Sequence, residues 1–124
     1  MLPTFALAEI TIDCCDTSRV SAFWSALLDA PLRVPLDGWF RLGPLTEGGP
    51  VLNFQPVPEV KQGKARLHMD LLTDDLDAAV VTVRRLGGRS LDRKREYEDG
   101  TVVVMADPEG NEFCLVHDTS SAAL

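Results

Sequence analysis

The sequence predicts an α+β domain built from two copies of one βαβββ unit. A pattern of one strand, one amphipathic helix and further short strands occurs twice along the 124 residues. The two halves also align without a gap, since Glu9 matches His68 and Asp16 matches Asp75, both 59 positions later. One shared offset indicates duplication of a supersecondary unit. A generic α+β domain with two helices is the alternative explanation of the same elements.

The first half begins with β-branched alternation over residues 9–14, which predicts a strand. The residues that follow, Asp16 among them, offer a helix N-cap. Apolar residues then recur at helical spacing and predict one buried helix face: Val20, Phe23, Trp24, Leu27 and Leu28. Pro31 is expected to end this helix, and short strands are expected at residues 39–42 and 51–55.

The second half repeats the order. Residues 66–72 predict a strand, and Asp75 is a candidate N-cap. A second helical stripe follows: Leu76, Ala79, Val80, Val83 and Leu86. Gly87 and Gly88 indicate the end of this helix. Turn signals at Asp99-Gly100 and Glu109-Gly110 separate three further strands, expected at residues 89–93, 101–106 and 112–117.

These elements predict one domain over residues 1–124. The first module covers about residues 7–56, a proline-containing charged linker covers about 57–64, and the second module covers about 65–117. The remaining residues, 118–124, are predicted to form a loose tail.

Composition limits the partners of the chain. The hydrophobic fraction of 45% is enough for one core, and the formal net charge of −7 disfavours nucleic acid and anionic membrane surfaces as partners. The apolar stretches are far shorter than the roughly 20 residues of a membrane span. Residues 1–9 lack the basic start of a signal peptide, and the 3 cysteines show no C-x-x-C spacing. We therefore expect a cytoplasmic protein.

Strand alternation groups the candidate site residues on one polar, acidic face of the sheet. They are Glu9, Thr11, Asp13, Asn53, Gln55, His68, Asp70, Glu112 and Cys114. Trp39 is a candidate for the mouth of a pocket, where it would stack on a planar ligand, or else belongs to the core. A half-exposed sheet with a polar outer face is the alternative interpretation. The charged run at residues 89–98 is interpreted as a solvated strand or loop, and Asn111 and Gly110 as left-handed turn residues.

The chain resembles the glyoxalase/bleomycin-resistance/dioxygenase (vicinal oxygen chelate) superfamily over nearly its whole length, and most closely its small bacterial glyoxalase-like proteins. The resemblance is carried by the doubled unit and by three segments: Ala22-Phe23-Trp24, His68-Met69-Asp70-Leu71 and Asp107-Pro108-Glu109-Gly110-Asn111. It implies a curved mixed sheet around a pocket, with the helices on the outer face.

In the metal-dependent members of this superfamily, four side chains from the first and last strands of the two units bind one divalent ion. The matching positions here are Glu9, Gln55, His68 and Cys114. The resemblance makes Glu9 and His68 the candidate metal ligands and catalytic bases. Cys114 stands where the metal enzymes usually carry glutamate, and a thiolate favours zinc or iron over magnesium or manganese.

Structural interpretations of the same residues remain open. Glu9 could be a salt-bridge partner, His68 a hydrogen-bonded pocket histidine and Cys114 a buried lining residue. For the whole protein the resemblance implies a homodimer with a small-molecule pocket, acting as a lyase or isomerase next to a carbonyl group. The alternatives are a non-catalytic drug-binding protein of the bleomycin-resistance kind, whose cationic ligand the net charge would suit, and a structural remnant that only dimerises.

Overall fold

The computed structural model describes residues 2–118, which form two compact units with their boundary between Val60 and Lys61. Each unit contains one helix and one four-stranded mixed sheet, in the chain order strand, helix, three strands. This confirms the α+β class and the doubled βαβββ unit. Within the described residues, no helix is long and apolar enough to cross a membrane.

The first unit orders its strands β1-β4-β3-β2, with β1 parallel to β4 and the other pairs antiparallel. Its elements are β1 (Glu9–Cys14), α1 (Thr17–Leu28), β2 (Leu32–Arg33), β3 (Phe40–Leu42) and β4 (Val51–Pro56). The two-residue strand β2 was not predicted, because two residues carry no readable alternation. It pairs with β3 at the sheet edge.

Helix α1 begins and ends through local polar contacts. The Asp16 carboxylate accepts the backbone N–H of Arg19 at 3.1 Å, which confirms this residue as the N-cap. The helix ends before Pro31, because Asp29 adopts a left-handed conformation (φ 50°) and its N–H returns to the Ser25 carbonyl. The predicted apolar face packs against the first sheet, with Trp24 fully buried.

The second unit repeats the same arrangement, with strand order β5-β8-β7-β6 and β5 parallel to β8. Its elements are β5 (Met69–Leu72), α2 (Leu76–Arg85), β6 (Arg89–Tyr97), β7 (Gly100–Ala106) and β8 (Glu112–Asp118). Strand β5 is shorter than predicted, since only four of its residues pair with β8. Strand β6 is longer than predicted because it pairs with β7 as far as Tyr97.

The core of the second unit lies between α2 and one face of its sheet. Val83 of the helix is fully buried, as are Met105 of β7 and Phe113 of β8. Side chains alternate along a strand, so the residues between these core positions point to the opposite face, away from α2. That face carries the candidate site described below.

Strand β6 contains a bulge that sets which residue of β7 each side chain on this opposite face lies beside. Ser90 pairs with Met105 and Arg93 pairs with Val104, so two residues of β6 have no partner between them. One of them, Asp92, has a left-handed backbone (φ 55°), and its N–H donates to the Ser90 hydroxyl at 3.2 Å. The bulge therefore moves Arg93 by two residues along β7, so that it pairs with Val104 instead of Val102.

The turn between β7 and β8 is organised by a buried carboxylate. Asp107 is fully buried, and its Oδ1 accepts the backbone N–H groups of Glu109 at 2.9 Å and Asn111 at 3.0 Å. Its Oδ2 accepts the side-chain amide of Asn111 at 2.9 Å. Gly110 has the predicted positive φ of 89°. The prediction for Asn111 was wrong, because its backbone is not left-handed and its side chain holds Asp107 instead.

We expect Asp107→Ala to lower the free energy of unfolding by about 3 kcal/mol, because it leaves three donors without their charged acceptor in a buried turn. Urea denaturation followed by circular dichroism measures this value. The matched control is Asp74→Ala, at an exposed position, which should change it by less than about 0.5 kcal/mol. Equal effects of the two substitutions would show that the carboxylate does not organise the turn.

Candidate functional site

A cavity of about 370 Å³ opens on the sheet face of the second unit that points away from α2. Every strand of that sheet contributes to it, with side chains two residues apart. The lining residues are Lys64, His68, Asp70, Arg93, Arg95, Tyr97, Val102, Val104, Glu112, Cys114 and Val116. A cavity of this size is within the range of small-ligand sites.

The strand register arranges the cavity floor in rows across the sheet. One row runs from Asp70 on β5 through Cys114 and Val104 to Arg93 on β6. The bulge in β6 brings Arg93 into this row. With a regular strand, Leu91 would face Val104 instead, and the row would end in an apolar side chain.

The next row is mostly apolar. Val116 of β8 pairs with Val102 of β7, which pairs with Arg95 of β6. Arg95 and Arg93 are two residues apart on one strand and lie on the same face, at a spacing of about 7 Å. The floor thus combines a strip of valines with two guanidinium groups along one side.

His68 and Asp70 form a hydrogen-bonded pair at the edge of this floor. The Nδ1 atom of His68 lies 3.0 Å from Oδ1 of Asp70, and both side chains are about half exposed, at 49% and 57%. When Nδ1 carries the proton and donates it to this carboxylate, Nε2 of the same ring has a free lone pair. The pair has the arrangement of a general base and the group that orients it.

Cys114 lies under this pair and stays protonated at neutral pH. Its Sγ atom is 3.8 Å from Nδ1 of His68, and only 5% of the residue is exposed. Burial raises the pKa of the Cys114 thiol, and the nearby Asp70 carboxylate raises it further, while Arg93 acts in the opposite direction. Cys114 therefore lines the cavity as a neutral thiol.

The charge of this face differs from the sequence-based expectation. The prediction of an acidic face is wrong for the second unit, where three cations outnumber two carboxylates: Lys64, Arg93, Arg95 against Asp70 and Glu112. Glu112 is the more enclosed acid, with an 11% exposed side chain that lies 3.6 Å from Lys61 and 4.0 Å from Arg93.

The site residues that strand alternation predicts in the first half lie on β1 and β4 of the first unit. Register places Thr11 beside Asn53 and Asp13 beside Gln55. Glu9 lies at the start of β1, where its carboxylate is 3.1 Å from the guanidinium of Arg41, and Arg41 also donates to the Asn53 side chain at 2.8 Å. This arrangement agrees with the interpretation of Glu9 as a salt-bridge partner.

The sequence analysis named four of the residues that line the second-unit cavity as candidate site residues, but it did not name the cations of that cavity. His68, Asp70, Glu112 and Cys114 were predicted and do lie there. Trp39 precedes β3 in the first unit and is half-buried. The missed lining residues are Lys64, Arg93, Arg95, Tyr97, Val102, Val104 and Val116. The spacing of Arg93, Arg95 and Tyr97 at every second position was the signal that could have extended the strand predicted at residues 89–93 and assigned these three side chains to one face.

The four-ligand metal site implied by the resemblance fits these side chains poorly for a hard ion. The Glu9 carboxylate is engaged by the cationic Arg41, and Gln55 offers only a neutral amide. Cys114 carries a thiol whose pKa is raised. Magnesium and manganese prefer charged oxygen ligands.

Three side chains of the second unit form a different donor set. Ligand atoms of His68, Asp70 and Cys114 all lie within 4.8 Å of one another. Nitrogen, oxygen and sulfur together suit zinc better than magnesium. Zinc would have to displace the thiol proton.

Comparisons with known proteins place the fold. A family model described as a glyoxalase-like domain matches residues 9–116. No curated protein matches the sequence significantly. A fosfomycin resistance protein, FosX, from Listeria monocytogenes superposes with a TM-score of 0.75 at 16% identity, covering 94% of each chain.

Two further solved structures show the same fold. A glyoxalase/bleomycin resistance protein/dioxygenase family enzyme from Burkholderia phytofirmans PsJN gives a TM-score of 0.72 at 18% identity, over 90% of this chain and 97% of that one. A lactoylglutathione lyase from Agrobacterium tumefaciens gives 0.64 at 15% identity, over 97% and 98%.

The donor set predicts a metal preference. We expect Zn²⁺ to bind at least about 100-fold more tightly than Mg²⁺ or Mn²⁺, because the three clustered donors include a sulfur and a ring nitrogen. Isothermal titration of chelator-treated protein in a non-thiol reductant measures the affinities.

Variants separate this set from the one implied by the resemblance. His68→Ala should abolish zinc binding, and Glu9→Ala should leave it unchanged, since Glu9 is not one of the three clustered donors. Tighter magnesium binding, or an equal loss in the two variants, would contradict the three-donor assignment.

Proposed function

This chain belongs to the glyoxalase-like domain family, and we propose that it binds a small molecule in the cavity of the second unit and moves a proton next to a carbonyl group. The observation that carries this proposal is the His68–Asp70 pair, 3.0 Å apart at the edge of a cavity lined with guanidinium groups. Such a reaction is an isomerisation when the proton returns to a neighbouring atom. It is a lyase reaction when a group leaves from the adjacent carbon.

His68 acts as the base in this proposal. Asp70 accepts the Nδ1–H, fixes the ring and favours the tautomer with a free Nε2. Nε2 removes the proton from the carbon beside the carbonyl, and the imidazolium that forms is stabilised by the Asp70 carboxylate. Glu9 is the weaker candidate base, because its carboxylate is held by Arg41.

The cavity cations stabilise the charge that this step creates. Proton removal places negative charge on the carbonyl oxygen, and a guanidinium facing the same floor lowers the energy of that charge. Arg93 ends the row that contains Asp70 and Cys114, so its side chain faces the floor on which the base lies. A Zn²⁺ ion held by His68, Asp70 and Cys114 would instead supply Lewis-acid polarisation of the carbonyl.

Solvent-deuterium exchange tests this role of His68. In D₂O with EDTA, we expect the protein to accelerate loss of the C3 protons of phenylpyruvate above the buffer rate, as followed by ¹H NMR. His68→Ala should lower the protein-catalysed rate by about 100-fold or more, because a positioned general base contributes about 10²–10⁴. Asp70→Asn should lower it less, since Asp70 orients the base without touching the substrate.

The second of the 2 histidines is the matched control. His117 lies on β8 and does not line the cavity, so His117→Ala should keep the wild-type exchange rate. Equal rates in His68→Ala and His117→Ala would overturn the assignment of His68 as base.

A non-catalytic binding protein is the second candidate. The ion pair of Glu9 with Arg41 favours it, because this pair engages one of the four side chains that metal-dependent relatives would use for chemistry. Ligand-induced NMR shifts of cavity residues without any exchange of ligand protons would identify this class. The homodimer and the cytoplasmic location stay predictions.

A further inference from the structure

We infer that the ligand of the second-unit cavity is a small organic oxyanion, a carboxylate or phosphonate with an apolar body. This inference rests on the proposed function only in taking that cavity as the ligand site. It is carried by the charges along β6 and by the valine strip beside them, and it needs no catalytic step.

The cations of the cavity are only partly neutralised by the protein. Across residues 2–118, Arg93 shares Glu112 with Lys61, at 4.0 Å and 3.6 Å respectively. Over the same range, Lys64 and Arg95 form no ion pair, although both line the cavity. A bound anion would supply the missing counter-charge. Guanidinium groups match the planar two-oxygen edge of a carboxylate and also the oxygens of a phosphonate.

The β6 spacing lets one anion reach both guanidinium groups. Arg93 and Arg95 point to the same face about 7 Å apart along the strand, a gap that two long side chains close easily. Arg93 and Arg95 are the β6 members of two rows of the floor. An anionic head bound to both is therefore placed at the β6 side of the cavity.

The floor next to these groups is suited to an apolar body. Val102 and Val116 continue the row of Arg95, and Val104 lies in the row of Arg93. A ligand with its oxyanion at β6 would therefore place its carbon skeleton over the valines and extend toward His68, which lies beside β5 at the other edge of the same sheet face. A cationic head at β6 would meet the guanidinium groups of Arg93 and Arg95 and would be repelled by their like charge.

A set of one-ring probes tests the inference by charge alone. Benzoate, phenylphosphonate, neutral benzamide and benzylammonium share one apolar ring, and inorganic phosphate has the oxyanion without the ring. Dissociation constants are measured by ¹⁵N NMR titration of the full chain at pH 7 and low salt. We expect benzoate or phenylphosphonate to bind about tenfold or more tightly than benzamide, benzylammonium and phosphate.

Two arginine variants of equal charge locate the contact. Arg95→Gln should weaken the preferred anion about tenfold and leave benzamide unchanged. Arg85→Gln is the matched control, because Arg85 lies in the last turn of α2 in the same unit and does not line the cavity. It should change the anion affinity by less than about twofold, since its charge acts only at a distance through solvent.

Each outcome decides the inference. Preference for benzylammonium, equal binding of benzamide, absence of binding by both ringed anions, or equal effects of the two variants would overturn it. Phosphate binding as tight as that of phenylphosphonate would overturn the apolar part. His68-dependent exchange of the benzylic protons of phenylacetone, a neutral ketone without an oxyanion, can persist under each of these results. Failure of the ligand class is therefore distinguishable from failure of the proposed function.

Discussion

Strand register in the second unit is the constraint on which the candidate site depends. Parallel pairing of β5 with β8, continued antiparallel through β7 to β6, places Asp70, Cys114, Val104 and Arg93 in one row. Because side chains alternate between faces, a slip of one residue in any pair would exchange cavity residues with core residues such as Phe113 and Met105. The core therefore fixes the site, since those two residues must stay buried under α2.

Two polar features help to fix this register. The buried Asp107 carboxylate accepts three hydrogen bonds from the turn between β7 and β8, and so fixes where the pairing of these strands begins. The bulge at Asp92 shifts the following residues of β6 by two positions, so that Arg93 and not Leu91 faces Val104. Both features involve only a few neighbouring residues, and both fix which side chains of adjacent strands lie beside one another on the cavity floor.

Charge is distributed unevenly over this acidic chain. The net charge of −7 describes the whole surface, while the second-unit cavity carries more cations than carboxylates. Electrostatic interactions weaken within about 10 Å of exposed charges in salt solution, so a ligand in the cavity responds to the side chains around it and little to the total. In the first unit, Arg41 likewise places a positive charge among predicted site residues, where it pairs with the Glu9 carboxylate and donates to the Asn53 side chain.

The sequence by itself determined the α+β class, the duplicated unit and the apolar faces of both helices. It also determined both N-caps, Asp16 and Asp75, whose carboxylates accept the backbone N–H groups of Arg19 and Ala78. These features depend on short-range periodicity and on side-chain contacts within a few residues. Alternation from His68 to Asp70 and from Glu112 to Cys114 was also readable, because each pair lies on or beside one strand. Only the tertiary structure decided that Arg93 shares a row with Val104, that this face of the sheet encloses a cavity, and that Arg41 meets Glu9. The row of Arg93 depends on a bulge, and the other two features depend on pairing between strands distant in sequence, which no local pattern encodes.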